Sequence, residues 1–129
     1  MKFTFLMFMG LFALTHAWSQ SDITPAVSAA LKKGDAATLS THLMPQLELS
    51  LPGKEGLVAQ SQAQQLLDQF FKEHVPHAFT LKHQGTSKLD DQFRIGELST
   101  SKGVFRVTFF MKKSATTLQI KQLKIEPVG

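Results

Sequence analysis

The stretch AFTLKHQGTSKLDDQFRIGELSTSKGVFRVTFFMKK, residues 78–113, alternates in polarity along most of its length. Phe79, Leu81, His83 and Gly85 share one parity, and Phe93, Ile95, Glu97 and Ser99 share another run of the same kind. Phe105, Val107, Phe109 and Met111 form a third. A period of two is the mark of half-buried β-strands. Together with the apolar residues of 118–125, it predicts four strands over about 78–88, 92–101, 104–113 and 117–126.

Turns and parity then set the expected register. A turn centred on Asp90 brings the first two apolar faces together and lays His83 opposite Glu97. A two-residue loop after Thr100 would put Phe105 to Met111 on the face opposite to Phe93 and Ile95. A three-residue loop, Ser101-Lys102-Gly103, with Gly103 in the left-handed conformation, keeps them together and is the expected turn. In the last strand Leu118 and Ile120 have one parity, Leu123 and Ile125 the other. A β-bulge near Lys121-Gln122 would put both pairs on one face and bend the sheet.

Upstream of this meander the spacing is helical. Asp22 can cap a helix in which Ile23, Val27, Ala30 and Leu31 share a face, with Pro25 in the first turn and Gly34 at its end. Asp35 caps a second short helix to about Leu43, before Pro45. Gln46–Leu51 alternates as a strand, Pro52-Gly53 turns, and Leu57–Ala59 is a short return strand. Ser61 with Gln64 has the form of a capping box, opening a helix to about Glu73 with a stripe of Ala63, Leu66, Leu67, Phe70 and Phe71. Helices followed by an antiparallel meander make an α+β fold: N-terminal helices packed in a bent antiparallel sheet.

The first residues, MKFTFLMFMGLFALTHAWSQ, have a different character. Lys2 precedes an apolar run, Phe3–Leu14, followed by the small residues Ala17 and Ser19. This is the layout of a secretory signal peptide, with an apolar run shorter than the roughly 20 residues of a membrane span. Residues 1–19 are therefore read as a signal peptide cut before Gln20, a cut after Ala17 being the second choice, and 20–129 as a single domain. The chain has no cysteine, which excludes thiol catalysis, thiolate metal sites and a lipid-modified cysteine. The net charge is +4 at pH 7, but the lysines are scattered, without the clustering of a nucleic-acid footprint. The expected product is exported, periplasmic or secreted, and soluble.

In the expected register the inner face is apolar except for His83 and Glu97. Such a pair can exchange protons near neutral pH, or can be two polar groups that satisfy each other at the open end of a core. The second is favoured. His74 and His77 have metal-like spacing, but Pro76 interrupts the helix between them. Asp90 and Asp91 read as turn residues. Arg94 and Arg106 face outward. No phosphate loop, zinc motif or nucleophile elbow is present, so no cofactor or metal is expected.

The stretches KEGLVAQSQAQQLLDQFF (54–71), LKHQGTSK (81–88), GELSTSKGVFRVTFFMKK (96–113) and LKIE (123–126) resemble the bacterial exported family called domain of unknown function 4783. That family is similar to the nuclear-transport-factor-2-like superfamily. The resemblance implies a cone, a bent sheet wrapped around helices, with an apolar pocket at its wide end. It implies no catalytic residues.

The favoured function is a non-catalytic module of the bacterial envelope that binds a small apolar ligand or a partner protein. Leu67, Phe71, Leu81, His83, Ile95, Glu97, Val107 and Phe109 are its pocket candidates. The alternative is a small isomerase- or hydrolase-like enzyme using His83 and Glu97. A homodimer through the sheet face, with Leu98 and Phe110 outward, is a third expectation; no nucleic acid and no membrane anchor are expected. Cleavage before Gln20 removes Trp18, the one tryptophan of a chain without tyrosine. The exported form should therefore show almost no absorbance at 280 nm and an intact mass starting at Gln20. A host-purified protein that retains Met1–Ala17 would sink the export reading.

Overall fold

Period-two alternation, helical spacing and the turn residues sort the chain into helices and strands that a computed structural model describes over residues 22–114 and 117–128. The segment read as a signal peptide lies outside the described residues. The helices are α1 (Thr24–Lys33), α2 (Ala36–Ser40) and α3 (Gln60–Glu73). The strands are β1 (Leu43–Leu51), β2 (Lys54–Ala59), β3 (Pro76–Thr86), β4 (Gln92–Thr100), β5 (Gly103–Ser114) and β6 (Thr117–Pro127). One sheet runs β2-β1-β6-β5-β4-β3, and the helices pack on its inner face. The α+β class expected from the pattern is the one found. The sheet is not wholly antiparallel, because β1 and β6 pair in parallel.

The helix ends follow local chemistry. Gly34 has φ +68° and closes α1 with backbone bonds to Leu31 and Ala30. A left-handed residue here is what glycine allows at low cost. Asp35 caps α2 by accepting from the Thr38 amide at 3.0 Å. The capping box expected at Ser61 does not form. The helix starts one residue earlier at Gln60, with no side-chain cap. Gln64 instead accepts from Ser40 Oγ, and Gln60 Nε2 donates to the Ser40 carbonyl at 2.6 Å. These bonds tie α3 to the end of α2, which is shorter than expected. β1 accordingly begins at Leu43 and contains Pro45. Its ladder to β6 is irregular between Leu43 and Glu48, and its pairing with β2 begins only at Gln46, so the missing proline N–H leaves no gap.

On β6 the expected bulge is present. Met111 pairs with Ile120 and Phe110 with Gln122, leaving Lys121 as the extra residue. Leu118, Ile120, Leu123 and Ile125 are all buried as a result.

The β4 parity is reversed from the expected one. Arg94, Gly96, Leu98 and Thr100 are buried, while Phe93, Ile95, Glu97 and Ser99 are half-buried on the other face. The cause is the turn. Thr100 pairs with Gly103 across two residues, Ser101 and Lys102, so Leu98 meets Phe105 and Gly96 meets Val107. Gly103 has a positive φ, +115°, but in this tighter turn and not in a three-residue loop. Thr100 Oγ1 holds it, donating to the Gly103 carbonyl at 2.8 Å and accepting from the Lys102 amide at 3.1 Å. Leu98 is fully buried, so it cannot supply an outer interface, and Arg94 faces inward.

Gly96 is where the reversed face needs a missing side chain. A Cβ there would lie 2.4 Å from Phe79 Cζ and 2.7 Å from the Thr80 carbonyl oxygen. The second contact is backbone of the adjacent strand and cannot swing away. Gly96→Ala should therefore destabilise the protein by about 2–3 kcal/mol in urea unfolding. An unchanged midpoint would mean that Phe79 does not lie over Gly96.

Candidate functional site

The eight residues expected to line one pocket fall into two groups. Leu67, Phe71, Val107 and Phe109 are buried in the core. Leu81, His83, Ile95 and Glu97 lie at or toward the surface, with Leu81 37% exposed. His83 pairs with Ile95, and Glu97 with Thr80. The cause is first the β3–β4 connection: Thr86 pairs with Gln92, which centres the turn on Leu89 instead of Asp90 and sets His83 opposite Ile95, and a bulge at Lys82 then moves Glu97 on to Thr80. The β3–β4 turn and the β3 bulge each move Glu97 away from His83, so the expected cross-strand pair does not form.

The buried polar group of this inner face is Arg94, 6% exposed. Its Nε donates to Thr24 Oγ1 at 2.9 Å, one terminal nitrogen to the Phe93 carbonyl at 2.9 Å, and the other to Gln92 Oε1 at 3.0 Å. Asp22 lies 3.8 Å from that last nitrogen and accepts from the Thr24 amide at 2.9 Å. The guanidinium is thus satisfied within the protein and pins the start of α1 to β4. A buried charge held by protein groups at all three of its nitrogens reads as a structural fixture. Lys121 makes a comparable link, with its ammonium against buried Asp91 at the β3–β4 loop.

The open feature lies elsewhere, between the β1–β2 turn and the last turns of α3. Here a cleft of about 220 Å³ is walled by Leu51, Pro52, Lys54, Leu66, Phe70 and His74. Pro52 and Gly53, the latter with φ +81°, make the turn that forms one lip. Phe70 stacks on His74, centroids 4.3 Å apart at 15°, and both meet Phe105 edge-on at 5.3 and 5.2 Å. His74 Nδ1 lies 3.0 Å from the Phe70 carbonyl oxygen. A carbonyl only accepts, so Nδ1 carries the hydrogen and Nε2 is the acceptor of the neutral ring. Gln69 and Glu73 complete a polar rim. A second cleft, of about 280 Å³, lies over β2, β1 and β6, walled by Glu48, Ser50, Glu55, Gln122 and Lys124. Phe70 and Leu66 were legible as a helical stripe and His74 as a helix-end histidine. Their meeting with the β1–β2 turn had no sequence signal, because it depends on the angle at which α3 crosses the sheet.

The sequence profile of the family described as Domain of unknown function (DUF4783) matches residues 24–126. A protein of that family from Bacteroides ovatus has a solved structure that is similar at TM-score 0.74 and 30% identity, covering 80% of this chain and 93% of that one. Another, from Bacteroides fragilis, is similar at TM-score 0.77 and 29% identity, covering 83% and 100%. An NTF2-like protein of unknown function from Cytophaga hutchinsonii shares the fold at TM-score 0.57 and 9% identity, covering 81% and 85%. No curated protein matches the sequence.

The Asp22 end of the Arg94 network should show itself in acid. Hydrogen bonding from the Thr24 side chain, with smaller help from the Thr24 amide and Arg94, holds the Asp22 carboxyl below its ordinary value despite partial burial. A carboxylate with a depressed folded-state pKa stabilises the fold above its unfolded pKa, about 3.9, and loses that contribution as pH falls through the folded value. The urea midpoint of the natural protein should therefore fall more steeply below about pH 4 than that of Asp22→Asn. Parallel curves would show that the Thr24–Arg94 contacts do not act on this carboxyl.

Proposed function

The chain belongs to the DUF4783 family, and on that premise we propose that it is a non-catalytic interaction module of the bacterial envelope, holding an apolar side chain of a partner protein in the cleft over Phe70. The observation that carries this reading is the cleft itself, with an aromatic floor, a polar rim and about 220 Å³ of space. Small-molecule sites usually offer about 300–1,000 Å³, so the size favours one anchoring side chain over a whole ligand. Anchors of this kind, buried in a small pocket with polar surroundings, dominate the affinity of protein contacts.

Three other readings have less support. The interior apolar pocket has its expected walls, Leu67, Phe71, Val107 and Phe109, buried in the core. The enzyme alternative depends on contact between His83 and Glu97, which belong to different cross-strand pairs. The sheet-face homodimer keeps one favourable observation. Phe93 and Phe110 are half-buried neighbours on the outer face, centroids 6.0 Å apart. The fold family hosts many unrelated activities, so fold alone selects none of these.

Export by the N-terminal segment would deliver the module to the envelope. Among the described residues no helix is long and apolar enough to cross a membrane. A photo-crosslinking amino acid at Gln69, an exposed position on the cleft rim, should capture one discrete polypeptide in living host cells. Leu66→Lys should abolish the product, and a crosslinker at Leu89 in the β3–β4 loop should not form it. A product that survives Leu66→Lys, or one made only of lipid or a small metabolite, would overturn the reading.

A further inference from the structure

The two edges of the sheet are β2 and β3, and they are protected very differently. β3 begins at Pro76, has register shifts near His77 and Lys82, and is packed against α1. Proline, bulges and a covering helix are the usual devices that stop an edge from pairing. β2 has none of them. Its six residues pair with β1 without a shift, contain no proline, and are exposed apart from half-buried Val58. Leu57, at its centre, is 67% exposed. In an antiparallel ladder every second residue turns its N–H and C=O away from its neighbour, and among the described residues no strand receives those of β2.

We propose that β2 is a strand-addition site, and that its occupant is an extended segment of another polypeptide, one that pairs along Lys54–Ala59. This rests on the reading of the cleft, because Lys54 belongs both to the edge and to the cleft wall. A segment running antiparallel to β2 can pair with the strand and then place over Phe70 the second side chain beyond Lys54, which alternation returns to the Lys54 face of the sheet. Main-chain bonds supply the affinity in this mode, and pockets for individual side chains supply the selectivity.

Charge and size choose this occupant over a second copy of the chain. A two-fold axis at Leu57 would set Glu55 against Ala59 and Lys54 against Gln60, with no charge opposite its complement. The edge is also only six residues long, against roughly 20–30 residues a side in a stable dimer. Lys54 and Glu55 make no ion pair among the described residues, and Glu48 lies beside Glu55 in the outer cleft. A complementary segment is apolar beside Leu57 and Val58, basic beside Glu55 and acidic beside Lys54.

The blocked peptide TVITKEGF has that order when it runs antiparallel to β2, with its phenylalanine two residues beyond Lys54 and on the cleft face. Added to the full exported chain, it should slow amide hydrogen exchange at alternate residues of β2 and leave β3 unchanged. Leu57→Lys puts a charge on an exposed edge, as natural edges do, and should weaken binding about tenfold without lowering the melting temperature. Perturbed Phe70 and His74 resonances with no slowed exchange in β2 would overturn strand addition and leave the cleft reading standing. If TVITKEGA protects β2 and binds as well as TVITKEGF, the edge stands and the cleft anchor falls. No slowed exchange in β2 at millimolar peptide overturns the proposal. So does protection that appears without peptide and grows with protein concentration, since the occupant would then be a second copy.

Discussion

The side chain of Thr100 holds the turn on which the sheet depends. Its hydroxyl bridges the Gly103 carbonyl and the Lys102 amide, and so closes the β4–β5 connection in two residues. Side-chain alternation makes the consequence absolute, since one residue more or less sends every side chain of a strand to the other face. With Phe105, Val107, Phe109 and Met111 committed to the core, the even residues of β4 must join them. Leu98 fills space against Phe105, Gly96 makes room for Phe79, and Arg94 is carried inside. The price is that Phe93 and Ile95 face outward, where Phe93 is partly sheltered by Phe110 and lies over Gly85.

A buried arginine is tolerable only if its charge finds partners, and here each of the three guanidinium nitrogens donates one hydrogen bond. Gln92 and the Phe93 carbonyl come from β4 itself, and Thr24 from the start of α1. The Thr24 hydroxyl accepts from Arg94 and keeps its own hydrogen for Asp22, which makes a short relay from the core to the surface. Removing one member would leave a charge in the core without its partner, which is far more costly than never having buried it. At the other side of the sheet the Lys121 bulge does two jobs. It brings Leu118 and Ile120 into line with Leu123 and Ile125, and it frees the lysine side chain to reach Asp91. Both networks join sheet strands to segments outside the ladder, so they fix the frame on which the cleft is built.

That frame leaves its interior filled and its openings at one margin. The cleft over Phe70, the β1–β2 turn and the free side of β2 are contiguous through Lys54. Rigid aromatic packing among Phe70, His74 and Phe105 lies behind them. If an extended chain docks there as proposed, a preformed edge and a preformed pocket need little ordering on binding. The surface has little in common with an enclosed cavity that would surround a small molecule.

Local sequence determined the elements that local forces can specify. The period-two runs of β3 to β6, the apolar stripe of α3, the left-handed Gly34, the Asp35 cap and the Lys121 bulge are each written in a few adjacent residues. Family membership was legible too, in motifs spread over most of the domain. Register was not. On β4 the odd residues offer Phe93 and Ile95 and the even ones only Leu98, so polarity pointed to the wrong face. What decided it was a hydrogen-bonded turn at Thr100 and an arginine whose partners lie 70 residues away on α1. The parallel β1·β6 pair, the β3–β4 turn and Lys82 bulge that separate His83 from Glu97, and the cleft between β1–β2 and α3 likewise came only with the tertiary structure. Hydrophobic alternation states that a strand has two faces; which face is buried is a property of the neighbours it meets, and those neighbours are distant in the chain.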